Sequence, residues 1–420
     1  MRHHRVRFGA FVILSGGFAA GCGGSDAGGG KAATRDSAGI SIVENSGPAW
    51  SSDRGWKVVD SPLVDIGDVD HVFGPVPLSD GRLAVANAGT NEVRIYDARG
   101  ALLKSSGRAG SGPGEYQNLA GIWRGPGDSV MVSDVLVRRV SVLDREGAFA
   151  RSVTLGGAGA SLMPTSGTVS LAIPSGWLDD GSILGVAQSF GIGVAREGTF
   201  RDSLMVIVYG PDGLARDTVG RFPGPEMEQM TLSFGGRSMP APTPVPLGRQ
   251  FVGSANGDRF YLSVNNAWEI EVRGLDGSLK RLIRSDIKPA TITPDDIAAN
   301  RKEMREQMES QPMMRNVPDA IKQQLTARID QAKYPATFAF FAGLLTDQDG
   351  NLWAQEASAS SSRAQRYAVI DSSGRFLGRV TMPASFRTSS IGSDAVYGVW
   401  KDPDDVEHVR VYPLRKTSKN

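Results

Sequence analysis

The chain has 420 residues, 22% of them charged, with 46 Lys+Arg against 45 Asp+Glu, 52 glycines and one cysteine. So even a balance, with no block of Lys/Arg interleaved with aromatics, argues against a nucleic-acid partner, and one cysteine rules out an intramolecular disulfide. The length would suggest two or three domains, but the patterning below favours one.

In chain order, residues 1 to 7 (MRHHRVR) are basic, residues 8 to 20 (FGAFVILSGGFAA) are mostly apolar, and Ala19-Ala20-Gly21 closes the stretch in small residues. That is a secretory signal, 1–21, whose apolar run from 8 to 20 is shorter than the roughly 20 apolar residues of a membrane-spanning helix. Removing Arg2, Arg5 and Arg7 with it leaves 43 bases against 45 acids. Cys22 stands directly after Ala-Ala-Gly and resembles the bacterial lipobox, with Ala19 where such boxes usually carry Leu. The resemblance implies lipidation at Cys22, a membrane anchor and an extracytoplasmic address. Gly23 after the cysteine implies the outer membrane, facing the periplasm or the surface, if the organism is Gram-negative. An ordinary signal peptide with an incidental Cys22 is the competing reading. Residues 22–38 read as a flexible tether, being Gly, Ser, Ala and scattered charges with no apolar period.

The body, 39–416, is a repeat of short strands. VPLSDGRLAVANAGTNEVRIYDARGALLKSSG (76 to 107) and NLAGIWRGPGDSVMVSDVLVRRVSVLDREGAFARSVTL (118 to 155) superpose turn for turn, with Asp97 and Asp144 47 residues apart. Period-two apolar residues at Val93, Ile95, Val140, Val142, Ile270, Val272, Val369, Val409 and Val411 indicate strands. Such repeats bury their faces only by stacking, and six units can be followed, so the expected fold is an all-β, six-bladed β-propeller. Blade three uses WLDDGSILGVAQ and SLMVIVYGPDGLARDTVGRF; the sixth blade runs out of chain after its third strand. The N-terminal segment 39–67 is expected to supply the missing strand beside Val409 to Tyr412, closing the ring and covering an exposed edge. The chain ends in the basic run RKTSKN, of which 417–420 form the C-terminal tail.

One stretch interrupts the repeat. Thr293 as N-cap, Pro294 at the first helical position and Asp295 and Asp296 in the first turn predict a helix to about Gln311. A second helix from near Pro318 carries Ile321, Leu325 and Ile329 on one face and stops at Pro335. This hairpin, 294–333, falls between blades four and five. Met304, Met308, Met313 and Met314 either offer an adaptable partner surface or pack the hairpin on the body.

GRAGSGPGEY (107 to 116), then VMVSD and RRVSVLDREG, resembles the repeat of NHL-type propellers. ISIVENSGPAW early, LLTDQDGNLW late and GVWKDPDDVEHVRVY at the end resemble extracytoplasmic six-bladed propeller lipoproteins of environmental bacteria. The resemblance spans about 39 to 416 and implies architecture far more than activity; blades three and four depart most from the pattern.

Chemical motifs are sparse. The mature chain has two histidines, His71 and His408, and shows no H-E-x-x-H helix, G-x-S-x-G elbow or phosphate-binding G-x-x-x-x-G-K-[ST] loop. Gly110, Gly112 and Gly114 read as an inter-blade turn. Asp347, Asp349, Gly350 and Asn351 read as a β-turn, lacking the glutamate that closes a calcium loop, and Asp402, Asp404, Asp405 and Glu407 as a solvated turn. Equivalent places on successive strands give Asn87, Asp134, Asn265, Gln355 and Trp400 as candidates around the channel. Asp134 is expected to serve its turn, and Trp268, Trp353 and Trp400 either offer flat apolar surface for a sugar or peptide or pack in the core between blades. Two functions follow. One is a noncatalytic binding or scaffold protein, monomeric and without cofactor, recognising a protein, peptide or glycan through Asn87, Asn265, Trp268, Trp353, Gln355 and Trp400. The alternative is a calcium-dependent hydrolase or lyase of lactonase type, with ligands drawn from Asp134, Asn265 and Glu356.

Overall fold

The computed structural model describes residues 29–51, 55–156, 168–191, 196–234, 237–310, 314 and 317–416. The signal, Cys22, the start of the tether, Met313 and the tail 417–420 lie outside them. Among the described residues no helix is long and apolar enough to cross a membrane.

Among the described residues six sheets follow one another along the chain, each starting from four antiparallel strands in chain order, except the sixth, which has three. Their first strands are Val72–Pro77, Leu119–Arg124, Thr168–Trp177, Val252–Asn256, Phe341–Thr346 and Phe386–Ile391. Each of these touches the next, and the last touches the first. Burial follows the same cycle. One apolar cluster joins sheets one and two through Ile95 and Val130, and others join two to three, three to four, four to five and five to six. A sixth closes six onto one through Val409 and Val72.

The Asp-x-x-Gly phrases are the turns between third and fourth strands. Asp97 Oδ1 accepts from the amides of Arg99 and Ala101, and Asp144 Oδ1 from those of Glu146 and Ala148, which is why an Asx-type residue opens these two turns; Gly210 and Gly274 stand at that place in sheets three and four. The closing glycine takes a positive φ, +90° at Gly100, +78° at Gly147 and, in the sheet-four turn opened by Gly274, +80° at Gly277. It also packs against the last strand of the preceding sheet, since a Cβ on Gly277 would lie 2.5 Å from the Val219 carbonyl oxygen. These turns therefore join sheet to sheet as well as strand to strand.

The N-terminal segment does more than was expected of it. Val64–Ile66 pairs with the last strand of sheet six in the register Val409↔Ile66, Arg410↔Asp65, Val411↔Val64, and Lys57–Val58 pairs with Leu414–Arg415. Ile40–Asn45, however, lies parallel to Leu279–Ser285 in sheet four. Ala32–Ser37, within the stretch read as tether, is a strand paired outside it. Between the two, the Ala49 and Trp50 amides donate to Phe376 and Leu377 of sheet five. The segment is a belt over three sheets, and its Trp50 and Trp56 pack on Trp353 in a tilted row with ring centroids 5.0 and 5.8 Å apart.

Sheet three also departs from expectation. Its fourth strand runs on from Ala215 to Phe234 and returns as Arg237–Pro244 in an unbroken ladder. Pro240, Pro242 and Pro244 have no N–H to give, so the ladder is complete only with their nitrogens on the free edge, where they also block further strand pairing. Two helices stand between sheets four and five, α1 (Pro294–Ser310) and α2 (Asp319–Gln331). Thr293 and Asp296 cap α1 reciprocally: the Thr293 hydroxyl accepts from the Asp296 amide (3.2 Å) and Asp296 Oδ2 from the Thr293 amide (2.9 Å).

Candidate functional site

Successive strands alternate in direction, so connections from second to third strands emerge at the same end of the sheets as those that lead to the next sheet. The helices rise from this end. Their stem is a short antiparallel ladder in which the Ile292 amide donates to Ala336 and the Phe338 amide to Ala290. From it α1 leans on residues 357–365 of sheet five, where Asn300 Nδ2 donates to the Ala359 carbonyl (3.0 Å), the Ser361 amide donates to Glu303 (2.9 Å), and Arg363 pairs with Asp296 (2.5 Å). Hydrogen bonds from Thr293, then the Arg363 guanidinium, hold the Asp296 carboxyl down to about 2.

Two hollows accompany the hairpin. A groove of about 500 Å³ runs between the helices and the sheet-three extension, with Met304 and Met308 of α1, Leu325 and Ile329 of α2, and Pro244 and Pro246 on its walls. Met304 and Met308 are half-buried, so they both pack the hairpin and face the groove; Met314 is buried. A smaller cavity of about 190 Å³ lies at the stem, bounded by Trp268, Phe338, Phe340 and Glu356.

The residues singled out from sequence separate into two groups. Asn87, Asn265 and Trp353 are fully buried and engaged. Asn87 Oδ1 accepts from the Asp70 amide at 2.9 Å. Asn265 donates to the carbonyls of Gln250 (2.8 Å) and Phe341 (2.9 Å) and accepts from the Phe341 amide (2.8 Å), fastening sheet four to the first strand of sheet five. Trp353 Nε1 donates to Asp347 at 3.0 Å. All three are thus engaged within the protein, as buried polar groups ordinarily are. Trp268 is also buried but borders the small cavity. Gln355 Nε2 donates to Gln365 beside the docked loop (3.2 Å). Trp400 lies away from the hairpin in sheet six, with the Arg410 guanidinium 3.4 Å from its ring centroid.

The ligand set of the hydrolase alternative does not come together. Asp134 accepts from the amides of Gln117 (2.6 Å) and Leu136 (3.1 Å), as its turn reading expects. Glu356 is held between Arg366 (3.1 Å) and Arg379 (2.5 Å), and Asn265 is clamped as described. Asp347 serves a turn, accepting from the amides of Asp349 and Asn351, and Asp402 does the same for Asp404 and Val406. Among the described residues no three His, Cys, Asp or Glu side chains form a group able to hold a metal ion. The six first strands contain neither Asp nor Glu; their charged residues are Arg124, paired with Asp128 at 2.7 Å, and Arg387. Arg387 donates to the Val72 carbonyl (2.6 Å), and burial lowers its pKa.

Sequence reasoning missed the groove wall supplied by 227–244 and the cationic rim of the stem cavity. The alternating prolines from Pro240 to Pro246 were the available signal for the first.

No family model and no curated protein matches the chain. Among solved structures it is similar to a member of the DUF4221 family from Bacteroides vulgatus, at 10% identity and TM-score 0.49, covering 86% of this chain and 98% of that one. A protein of Bacteroides fragilis described as exported shares 11% identity at TM-score 0.47, with 90% and 100% covered. A gluconolactonase from Xanthomonas campestris shares 13% at TM-score 0.37, with 84% and 88% covered. At these values neither an activity nor a ligand carries over.

Proposed function

We propose that the chain is a six-bladed β-propeller lipoprotein of the cell envelope, anchored through Cys22, in which the helical hairpin is an insertion that builds a noncatalytic recognition surface. The observation that carries this reading is the groove of about 500 Å³ between α1, α2 and the extension of sheet three. Its volume is that of a ligand site, roughly 300–1,000 Å³, and both walls are departures from the repeat carried on a rigid body, where binding function concentrates. Methionines on one wall and prolines on the other present apolar surface suited to a polypeptide partner. The carboxylate-free first strands weigh against the hydrolase reading, since a calcium site of this kind draws on oxygen ligands, carboxylates chief among them.

A photo-reactive amino acid at Gln307, on the groove, tests the proposal in intact cells. Discrete covalent adducts are expected there and not from the same residue placed at exposed Leu102 in sheet one. Equal adducts from both positions, or none from Gln307, would overturn it. Calcium-dependent turnover of a lactone by the purified chain would favour the alternative.

A further inference from the structure

The stem cavity is distinct from the groove and chemically more specific. It lies where the two legs of the hairpin leave sheets four and five, and its volume is about 190 Å³. Trp268 stands at its base with Phe341 and Phe376 packed behind it at 5.5 and 5.3 Å. Phe338 and Phe340 are half-buried at its walls, with Ile287 and Pro289 beside them.

The polar lining is restricted in kind. The side chains that border the cavity include no Asn, Gln, Ser, Thr, Tyr or His; apart from apolar groups they are Lys288, Glu356, Arg366 and Arg379. Glu356 offsets one of the three cations, leaving the rim with an excess of two positive charges. Its carboxylate also fixes the Arg366 and Arg379 guanidiniums, and the Arg379 guanidinium lies 5.3 Å from the Phe376 ring centroid. Lys288 is exposed and has no acidic partner among the described residues.

Size and lining select a ligand. An apolar cavity of about 150 Å³ accepts one benzene ring, so this one takes a single six-membered ring and one small substituent. A sugar of that size would bring hydroxyls all round its ring; those that reach Lys288, Glu356, Arg366 or Arg379 find partners, and the rest face Trp268, Phe338 and Phe340 unpaired, at about 1–3 kcal/mol each. A planar aromatic ring meets Phe338 and Phe340 on the walls, with buried Trp268 beneath, and leaves no such debt. A single negative charge on it meets Arg366 and Lys288, whose hydrogen bonds to carboxylate are of the stronger, charge-assisted kind.

We propose that this cavity binds a small aromatic carboxylate, its ring against Trp268, Phe338 and Phe340 and its carboxylate at the Lys288 and Arg366 rim. This extends the reading of the hairpin face as a recognition surface and rests on it, but it concerns a different hollow, so the two fail separately: adducts at Gln307 report the groove, small-molecule titration the cavity. Binding here would also brace the hairpin stem.

Titration calorimetry of the mature chain with benzoate, benzyl alcohol and glucose tests the proposal. Benzoate should bind at least about tenfold more tightly than the neutral benzyl alcohol, the difference one charge-assisted contact supplies, and glucose should give no heat. Lys288 and Arg366 are exposed, so Lys288→Gln with Arg366→Gln leaves packing intact and Glu356 still paired with Arg379. In that double variant benzoate should weaken by about tenfold or more while benzyl alcohol is unchanged. Absence of benzoate binding, equal affinity for benzoate and benzyl alcohol, or benzoate affinity unaffected by the double substitution would each overturn it.

Discussion

Asn265 holds three backbone groups with one side chain, and two of them belong to Phe341, the residue that starts sheet five after the helical insertion. Removing the amide would strand a buried N–H and leave two carbonyls without a donor, so Asn265→Ala should cost about 2–4 kcal/mol in urea unfolding. Asn265→Asp should cost at least as much, because a carboxylate would face the two carbonyl oxygens that the amide nitrogen now serves. A ligand-binding Asn would instead lose only about 1 kcal/mol on changing to Ala, from its left-handed φ of +62°, and little on changing to Asp. Asp296 gives a pH-dependent counterpart. Its folded pKa is depressed to about 2 from an ordinary 3.8, so its contribution is fully present above about pH 4 and is lost as pH falls through 2. Acid unfolding followed by far-ultraviolet circular dichroism should show wild type losing stability across that window more steeply than Asp296→Asn, which cannot titrate there. Identical acid profiles would mean that the cap and the Arg363 pair do not stabilise the docked hairpin.

At the scale of the elements, the turns between third and fourth strands press on neighbouring sheets, and Gly277 in such a turn, set against Gly350 in the turn between the first and second strands of sheet five, separates backbone strain from packing. Gly277 and Gly350 have φ of +80° and +79°, but a Cβ on Gly277 would meet the Val219 carbonyl at 2.5 Å, whereas one on Gly350 meets nothing within 4 Å. Gly350→Ala should therefore cost about 1 kcal/mol, the penalty of the left-handed conformation alone. Gly277→Ala should cost clearly more, since sheet three must move away from sheet four; equal costs would show that the turn does not press on its neighbour. The repeat of Asp97 to Gly100 and Asp144 to Gly147 made these turns, and so the sheets, legible in the sequence. The capped helix at Thr293–Asp296 was equally plain, because its signals are local. The sheet-three extension was not, since Pro240, Pro242 and Pro244 ordinarily argue against a strand, and only pairing with 227–234 shows their nitrogens on a free edge. The candidate site was less legible still. Asn87 and Asn265 sit at the right strand ends, but which way a polar side chain faces depends on connections that no local pattern encodes. The cationic rim of Lys288, Arg366 and Arg379 is assembled from residues far apart in the chain.

For the whole molecule, the question is what keeps the cycle of sheets shut. The N-terminal belt does three separable things: 32–45 widens sheet four, Ala49 and Trp50 cross sheet five, and 57–66 supplies the outer pairing of sheet six. The last is reinforced by the Asp65 carboxylate, which accepts from Arg410 (2.9 Å) and pairs with His408 (2.7 Å), both on the strand it covers. Val64 and Ile66 are also buried in the cluster that joins sheet six to sheet one. Deleting the chain up to residue 51 should therefore lower the melting temperature moderately, through loss of the Trp50 contacts and an exposed edge on sheet four, while the body stays monomeric. Deleting it up to residue 67 removes the outer strand of sheet six as well, uncovers Val409 and Val411, and presents a bare edge open to intermolecular pairing. Thermal unfolding and light scattering on the two forms should show the second melting far lower and aggregating. Closely similar melting of the two would mean that the ring is held by its first strands and apolar clusters alone, with the 57–66 segment no more than a cover.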